Sequence, residues 1–166
     1  MMKFDESPVF GHTDSPLGPL LLAATPLGLA GAWFVHGQRD TPDPAAWTEN
    51  ADHPILRETA VQLAEYFAGR RQQFALPLDL RHGTAFQKAV WQALLGIPFG
   101  QTTRYGAVAA RIGRPTAVRA LGAAVGRNPI SIIVPCHRVV GVDGSLTGYA
   151  GGLDRKTALL RLEGVL

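Results

Sequence analysis

The chain has 166 residues, 46% of them apolar and 17% charged, with a formal net charge of +3. That is enough apolar material to bury one large core or two small ones, which excludes a disordered chain, and Met1-Met2-Lys3-Phe4-Asp5-Glu6 lacks the basic-then-apolar pattern of a secretory leader. A single cysteine excludes an internal disulfide and a multi-cysteine metal site, and it points to a reducing, cytoplasmic setting.

Residues 8–13, 20–24 and 29–36 are predicted as strands, short apolar runs bounded by Gly and Pro. The stretch 16–35 carries no charge and has the length of a membrane span. Gly18, Pro19, Pro26, Gly28 and Gly31 interrupt it, so it reads as a soluble hairpin turning through Thr25-Pro26-Leu27-Gly28, with no membrane partner. A polar loop through Thr41-Pro42-Asp43-Pro44 leads to a helix over about 54–68 that ends at Gly69. Its apolar face is assigned to Ile55, Val61, Leu63 and Phe67. Residues 72–81 read as an extended connector.

Helical periodicity resumes after Gly83, with Thr84 as a cap and Phe86, Val90, Trp91, Leu94 and Leu95 at three- and four-residue intervals, until Gly96 and Pro98 stop it. A short helix near 105–112, the turn Gly113-Arg114, and a second helix opened by Pro115 and running to about 125 describe a helix-turn-helix. On the second helix Val118, Leu121 and Val125 form a core stripe. Thr116, Arg119, Ala123 and Arg127 lie on another face, basic and lined by small residues, which lets a DNA backbone come close. The predicted fold class is α+β: a small strand-and-helix supporting domain over 1–80, then a mostly helical domain over 81–166 containing the helix-turn-helix. Charge divides at the same place. Residues 1–80 hold five Lys/Arg against ten Asp/Glu, a net of −5, whereas residues 81–166 hold eleven against three, a net of +8. The second half is therefore expected to meet a polyanion such as nucleic acid, with Lys88, Arg104, Arg111, Arg114, Arg127 and Arg138 as candidate phosphate contacts.

The lone cysteine lies in Pro135-Cys136-His137-Arg138-Val139, at the end of the apolar run Pro129-Ile130-Ser131-Ile132-Ile133-Val134. A thiol becomes reactive where positive charge or a base stabilises its thiolate, and a following histidine and arginine supply both. If the backbone there is extended, Cys136 and His137 point to opposite sides, which disfavours a direct cysteine–histidine ion pair. Further on, Glu163 falls three residues after Leu160 and four after Leu159, on the apolar face of a helix beginning near Asp154. An acid there, near the negative helix end, calls for a buried partner, and a histidine donating one ring N–H suits it.

Pro135-Cys136-His137-Arg138-Val139, Asn128-Pro129, Arg119-Ala120-Leu121-Gly122 and Leu159-Leu160-Arg161-Leu162-Glu163-Gly164 together resemble the O6-alkylguanine-DNA alkyltransferases, over about 84–164. The resemblance implies direct DNA repair by an irreversible, single-use enzyme. An alkyl group passes from O6 of guanine, and more weakly O4 of thymine, to the protein's own cysteine after minor-groove binding to double-stranded DNA and extrusion of the nucleotide. It implies Cys136 as acceptor, and His137 and Glu163 as its activating network with a water between thiol and imidazole. It makes Tyr105 an aid to nucleotide rotation and a proton donor, Asn128 the tie between helix-turn-helix and active-site loop, and Arg119 the residue filling the gap in the base stack. Thr116, Ala123 and Arg127 join Arg119 on the DNA face. Pro135, Val139, Tyr149 and Ala150 line the base pocket, with Ala150 standing where the family often has serine. No cofactor is implied, and the expected unit is a monomer, with cooperative loading on DNA left open. His12, His36, His53 and His82 lack ligand spacing, so no metal is expected. Three other readings are a lesion-flagging relative without the acceptor cysteine, a helix-turn-helix regulator, and a cysteine hydrolase. Cys136 itself argues against the first, a regulator would not need a reactive cysteine, and a hydrolase would require a histidine from elsewhere in the chain to meet the thiol directly.

Overall fold

In the computed structural model, which describes residues 3–166, β1 (Val9–Thr13), β2 (Leu20–Thr25) and β3 (Gly28–Phe34) form an antiparallel meander. The short β4 (Thr48–Glu49) joins β1 in parallel, giving the order β3-β2-β1-β4. The uncharged stretch 16–35 is thus a strand hairpin, and no helix among the described residues is long and apolar enough to cross a membrane. Every residue of β2 and β3 is buried. One face of the sheet packs Leu21, Ala23 and Trp33 beneath Phe4, Phe10 and Trp47. The other face carries α1 (Pro54–Phe67), with the Leu56 side chain 3.6 Å from the place a Cβ on Gly11 would take. The edge of β3 is closed by the connector: Leu29 N–H donates to Pro77 O at 2.8 Å and Asp79 N–H to Leu29 O at 2.8 Å. Gly28 is required for this approach, since a Cβ there would lie 2.4 Å from Pro77 O.

The buried face of α1 differs from the one predicted. It consists of Leu56, Thr59, Gln62, Leu63 and Tyr66, while Val61 is 54% exposed. Two polar residues can turn inward because each finds partners. Thr59 Oγ1 donates to Ile55 O at 2.7 Å, and the Gln62 amide accepts from Ala75 N and donates to Ala75 O. Counting apolar residues alone rotates the face away from these positions.

The chain divides into two compact units, one ending at His82 and one beginning at Gly83. In the second, α2 (Ala85–Leu95) starts with a capping box in which Thr84 Oγ1 accepts from Gln87 N–H and the Gln87 side chain accepts from Thr84 N–H. After it come β5 (Thr103–Arg104), α3 (Tyr105–Arg111), α4 (Val118–Gly126), β6 (Val139–Val140) and α5 (Leu153–Leu162), with β5 and β6 paired in parallel. Trp91 is fully buried between helices and donates its Nε1–H to Ala124 O at 2.9 Å. The α+β class predicted from the sequence holds.

Three local expectations do not. Pro115 does not open α4. It is the second residue of a turn closed by Ala117 N–H to Arg114 O at 2.9 Å, a position its fixed φ favours, and the helix starts at Val118. Leu95 and Val118 are 38% and 40% exposed, so the core side of α4 is Leu121, Ala124 and Val125. The apolar run 129–134 is buried throughout, yet it is a series of tight turns leading into a 3-10 turn, so the extended backbone that would point Cys136 and His137 to opposite sides is not formed.

Candidate active site

Those turns build the environment of Cys136. Asn128, at the end of α4, is buried and works as a main-chain substitute: its Oδ1 accepts from Ile130 N–H at 3.0 Å and its Nδ2 donates to Val134 O at 2.8 Å. The loop it closes contains Ile132 at φ 74, a buried β-branched residue in the left-handed region, which costs of order 1–3 kcal/mol. Pro135, at φ −82 and ψ 63, makes an inverse γ-turn in which Cys136 N–H donates to Val134 O at 2.8 Å. Cys136, His137 and Arg138 then form one turn of 3-10 helix. Successive side chains therefore diverge by about 120° and do not alternate as in a strand.

This turn aims two side chains at one carboxylate. Glu163 caps the C-terminal end of α5 and is buried. Its Oε2 is 2.7 Å from His137 Nε2, and Arg138 grips it twice, Nε to Oε1 at 2.7 Å and a second guanidinium nitrogen to Oε2 at 3.0 Å. The remaining guanidinium nitrogen donates to Ile97 O at 2.7 Å. Arg138 is thus an interior residue, which corrects its assignment as a candidate phosphate contact. His137 is wholly buried, and that burial lowers its pKa against the opposing pull of Glu163, so the ring is neutral at neutral pH. With Nε2–H donating to Glu163, its Nδ1 keeps a lone pair and makes no hydrogen bond within the described protein. A neutral imidazole held by a carboxylate, on the residue next to the thiol, has the lone pair that a general base needs.

The segment between β6 and α5 encloses the other side. Tyr149 has a buried hydroxyl, and burial pushes its phenol well up, with Cys136 adding to the rise and Ser131 opposing it. Ala150 is half-buried, Pro135 and Val139 are buried, and Val139 keeps no exposed surface at all. Tyr105, the first residue of α3, stands with its phenol oxygen 3.5 Å from Thr147 Oγ1 on this segment. Lys156, on α5, is fully buried and donates its ammonium to Val139 O at 2.7 Å, Thr147 O at 2.7 Å and Gly148 O at 3.3 Å.

Residues 85–165 match the 6-O-methylguanine DNA methyltransferase, DNA binding domain, and residues 9–80 match the 6-O-methylguanine DNA methyltransferase, ribonuclease-like domain. The chain belongs to the 6-O-methylguanine DNA methyltransferase family. It is 51% identical over 151 residues to a methylated-DNA--protein-cysteine methyltransferase of Methanosarcina acetivorans, covering 91% of this chain and 95% of that one. A protein of the same name from Mycolicibacterium paratuberculosis is 52% identical over 151 residues, covering 90% and 88%. The crystal structure of Mycobacterium tuberculosis OGT in complex with DNA superposes with a TM-score of 0.84 at 48% identity, covering 93% of this chain and 92% of that one.

Within this methyltransferase fold, Thr116, Arg119, Ala123 and Arg127 are all exposed along one side of α4 and the turn before it. Lys88, Arg104, Arg111 and Arg114 are exposed as well. Among the described residues no group of three His, Cys, Asp or Glu side chains is arranged to hold a metal ion. One member of the Cys136 neighbourhood escaped the sequence reading, Lys156, and the bond from Arg138 to Glu163 escaped with it. For Lys156 a signal existed: it precedes Leu159 and Leu160 by three and four residues and Glu163 by seven, so it lies on the same buried stripe of α5 that singles out Glu163.

Proposed function

We propose that this chain is a single-use DNA repair methyltransferase that moves an alkyl group from O6 of guanine in duplex DNA to Cys136. The observation that carries the reading is the buried thiol, imidazole and carboxylate sequence of Cys136, His137 and Glu163, joined to an exposed helix face bearing Arg119. His137 Nδ1 takes the thiol proton through a water, and Glu163 stabilises the imidazolium that results. The thiolate lone pair then forms an S–C bond as the C–O6 bond breaks, and the departing electron pair goes to guanine. Guanine recovers a proton, which Tyr105 gives. A thiolate is a poor leaving group from the unactivated carbon of a thioether, so the protein is spent after one transfer.

Reaching the thiol requires the damaged nucleotide to leave the stack, at a cost of a few kcal/mol that is smaller for a poorly paired base. Arg119 fills the space it vacates, while Thr116, Ala123 and Arg127 lie against the backbone on the minor-groove side. Tyr149 and the neighbouring main chain receive the base. With Ala150 lacking a hydroxyl, recognition there falls to main-chain groups. The unit that acts is a single chain in a reducing compartment.

Incubating the protein with a duplex oligonucleotide containing O6-methylguanine and weighing it tests this directly. One added methyl on the peptide containing Cys136, stoichiometric and without turnover, is the expected result, and Cys136→Ala gives none while still binding duplex DNA. An unchanged mass in a folded preparation that still binds the oligonucleotide returns the chain to lesion binding without repair.

A further inference from the structure

Lys156 is the least expected charge in the molecule. Its ammonium has no exposed surface, and its three hydrogen bonds go to main-chain carbonyls. One of those carbonyls, Val139 O, lies on β6 three residues after the nucleophile. The other two, Thr147 O and Gly148 O, immediately precede Tyr149. The side chain therefore bridges the strand that follows Cys136 and the segment that carries the tyrosine. The start of that segment is closed on itself, with Gly141 N–H donating to Ser145 O at 2.9 Å, but residues 147–148 are exposed and the contact from Thr147 Oγ1 to Tyr105 is long at 3.5 Å, so the ammonium makes the shortest side-chain bond to that stretch among those described. From Tyr149 onward it is anchored by Gly152 N–H to Tyr149 O at 2.9 Å and by the first turn of α5.

An ammonium has three donors and no lone pair, so it matches three converging carbonyl oxygens. A neutral amine has two donors and a lone pair that would face one of them. We propose that Lys156 is a positioning residue for alkyl transfer, whose charged ammonium ties the Thr147–Gly148 main chain to β6 and so holds Tyr149 in register with Cys136. This rests on the alkyl-transfer reading above and adds to it a dependence on the protonation of a residue that touches neither base nor thiol.

The dependence falls in a measurable range, because burial pushes the Lys156 pKa down to about 8, with Cys136 opposing the shift. The titratable groups around it are distinguishable. On the active-site turn, Cys136 raises its pKa, and the Lys156 charge in turn lowers that of His137. His137 is shifted toward acid and Tyr149, on the segment it holds, toward strong base, so neither produces a change near pH 8. Glu163 and Arg138 are locked to each other farther along.

The experiment compares two reactions of the same sulfur: methyl transfer from an O6-methylguanine duplex and alkylation by iodoacetamide, which needs no base pocket. Dividing the first rate by the second cancels the fraction of thiolate. In the wild-type protein the ratio is expected to fall as pH rises above about 8. In Lys156→Met it is expected to be lower than wild type by roughly 10-fold or more at pH 7, the size typical of a lost supporting residue, and flat with pH. A wild-type ratio that stays level to pH 9 overturns the proposal, and so does a Lys156→Met ratio within twofold of wild type. If circular dichroism shows that Lys156→Met does not fold, the wild-type profile alone decides. A wild-type protein that reacts with iodoacetamide but never acquires a methyl group overturns the repair reading and the positioning role with it, and is recognised by that pattern.

Discussion

Asp79 and Glu163 are both buried carboxylates gripped by an arginine through Nε and a terminal nitrogen, each with a histidine alongside. Their surroundings part them. Arg81 is 59% exposed, and His82 stands 3.4 Å from Asp79 without forming a hydrogen bond, its ring packed on Phe4 at 4.6 Å. Arg138 is 8% exposed, and His137 makes a 2.7 Å bond to Glu163 while its other nitrogen makes no hydrogen bond within the described protein. A carboxylate, an arginine and a histidine thus form a latch in one unit and, on the function proposed above, a proton acceptor in the other. What separates them is how far water is excluded and what the histidine's second nitrogen meets.

The comparison breaks most visibly at Glu163. Glu163→Gln leaves the buried Arg138 without its anion and removes the charge that stabilises a protonated His137. Transfer is expected to slow by about 100-fold, the scale of general acid–base assistance, in a single-turnover methyl-transfer assay. Urea unfolding should show a loss of about 3 kcal/mol, as when one partner of a buried ion pair is removed. A variant that loses stability but transfers at the wild-type rate would make Glu163 a second latch. Acid acts on the same network: the folded pKa of His137 lies below its ordinary 6.5, so between those values the unfolded chain binds the proton and the native state does not. Stability contributed by the neutral ring is therefore present above pH 6.5 and is lost as pH falls toward the folded pKa.

Asp79→Asn should have the smaller and purely structural effect. Arg81 can turn to water, so the expected cost is roughly 1–3 kcal/mol in urea unfolding, with the transfer rate of the folded protein unchanged. The bonds from Arg81 hold the Asp79 carboxyl well below the usual carboxylate range despite its burial, which opposes the shift, and Thr25 adds a further bond. Its contribution is fully present above the ordinary value of 3.8 and disappears as pH falls through the folded pKa. The stability difference between wild type and Asp79→Asn should accordingly narrow below pH 3.8. A slower transfer rate in Asp79→Asn would mean that the first unit reaches the chemistry, and the two clusters would no longer be separable.

Much of this arrangement was legible in the sequence, for reasons that differ by element. The β2 and β3 hairpin followed from an uncharged stretch cut by Pro26 and Gly28, because turn chemistry is local. The burial of Glu163 followed from helical spacing alone. Arg138 was read as a phosphate contact because its sequence neighbours do not reveal that the cysteine sits on a 3-10 turn, which sends the third residue inward to Ile97 O. The strained Ile132 and the turns before Cys136 were hidden for a related reason: an apolar run of that length looks the same whether it is extended or folded back on Asn128.

The smallest expected effect guards the comparison against a trivial explanation. If the first unit were fragile everywhere, Asp79→Asn would lose stability for reasons unrelated to its ion pair. Val61 lies on the same unit, in the middle of α1, and apolar spacing alone places it in the core, yet it is 54% exposed. Val61→Ser changes a side chain that is mostly in water, and serine and valine have similar helix propensities, so urea unfolding should move by no more than about 0.5 kcal/mol. A loss above about 1.5 kcal/mol would mean that α1 buries the face the apolar pattern suggests and not the one built around Gln62 and Tyr66. The cost of removing the Asp79 charge would then have to be measured against a different core.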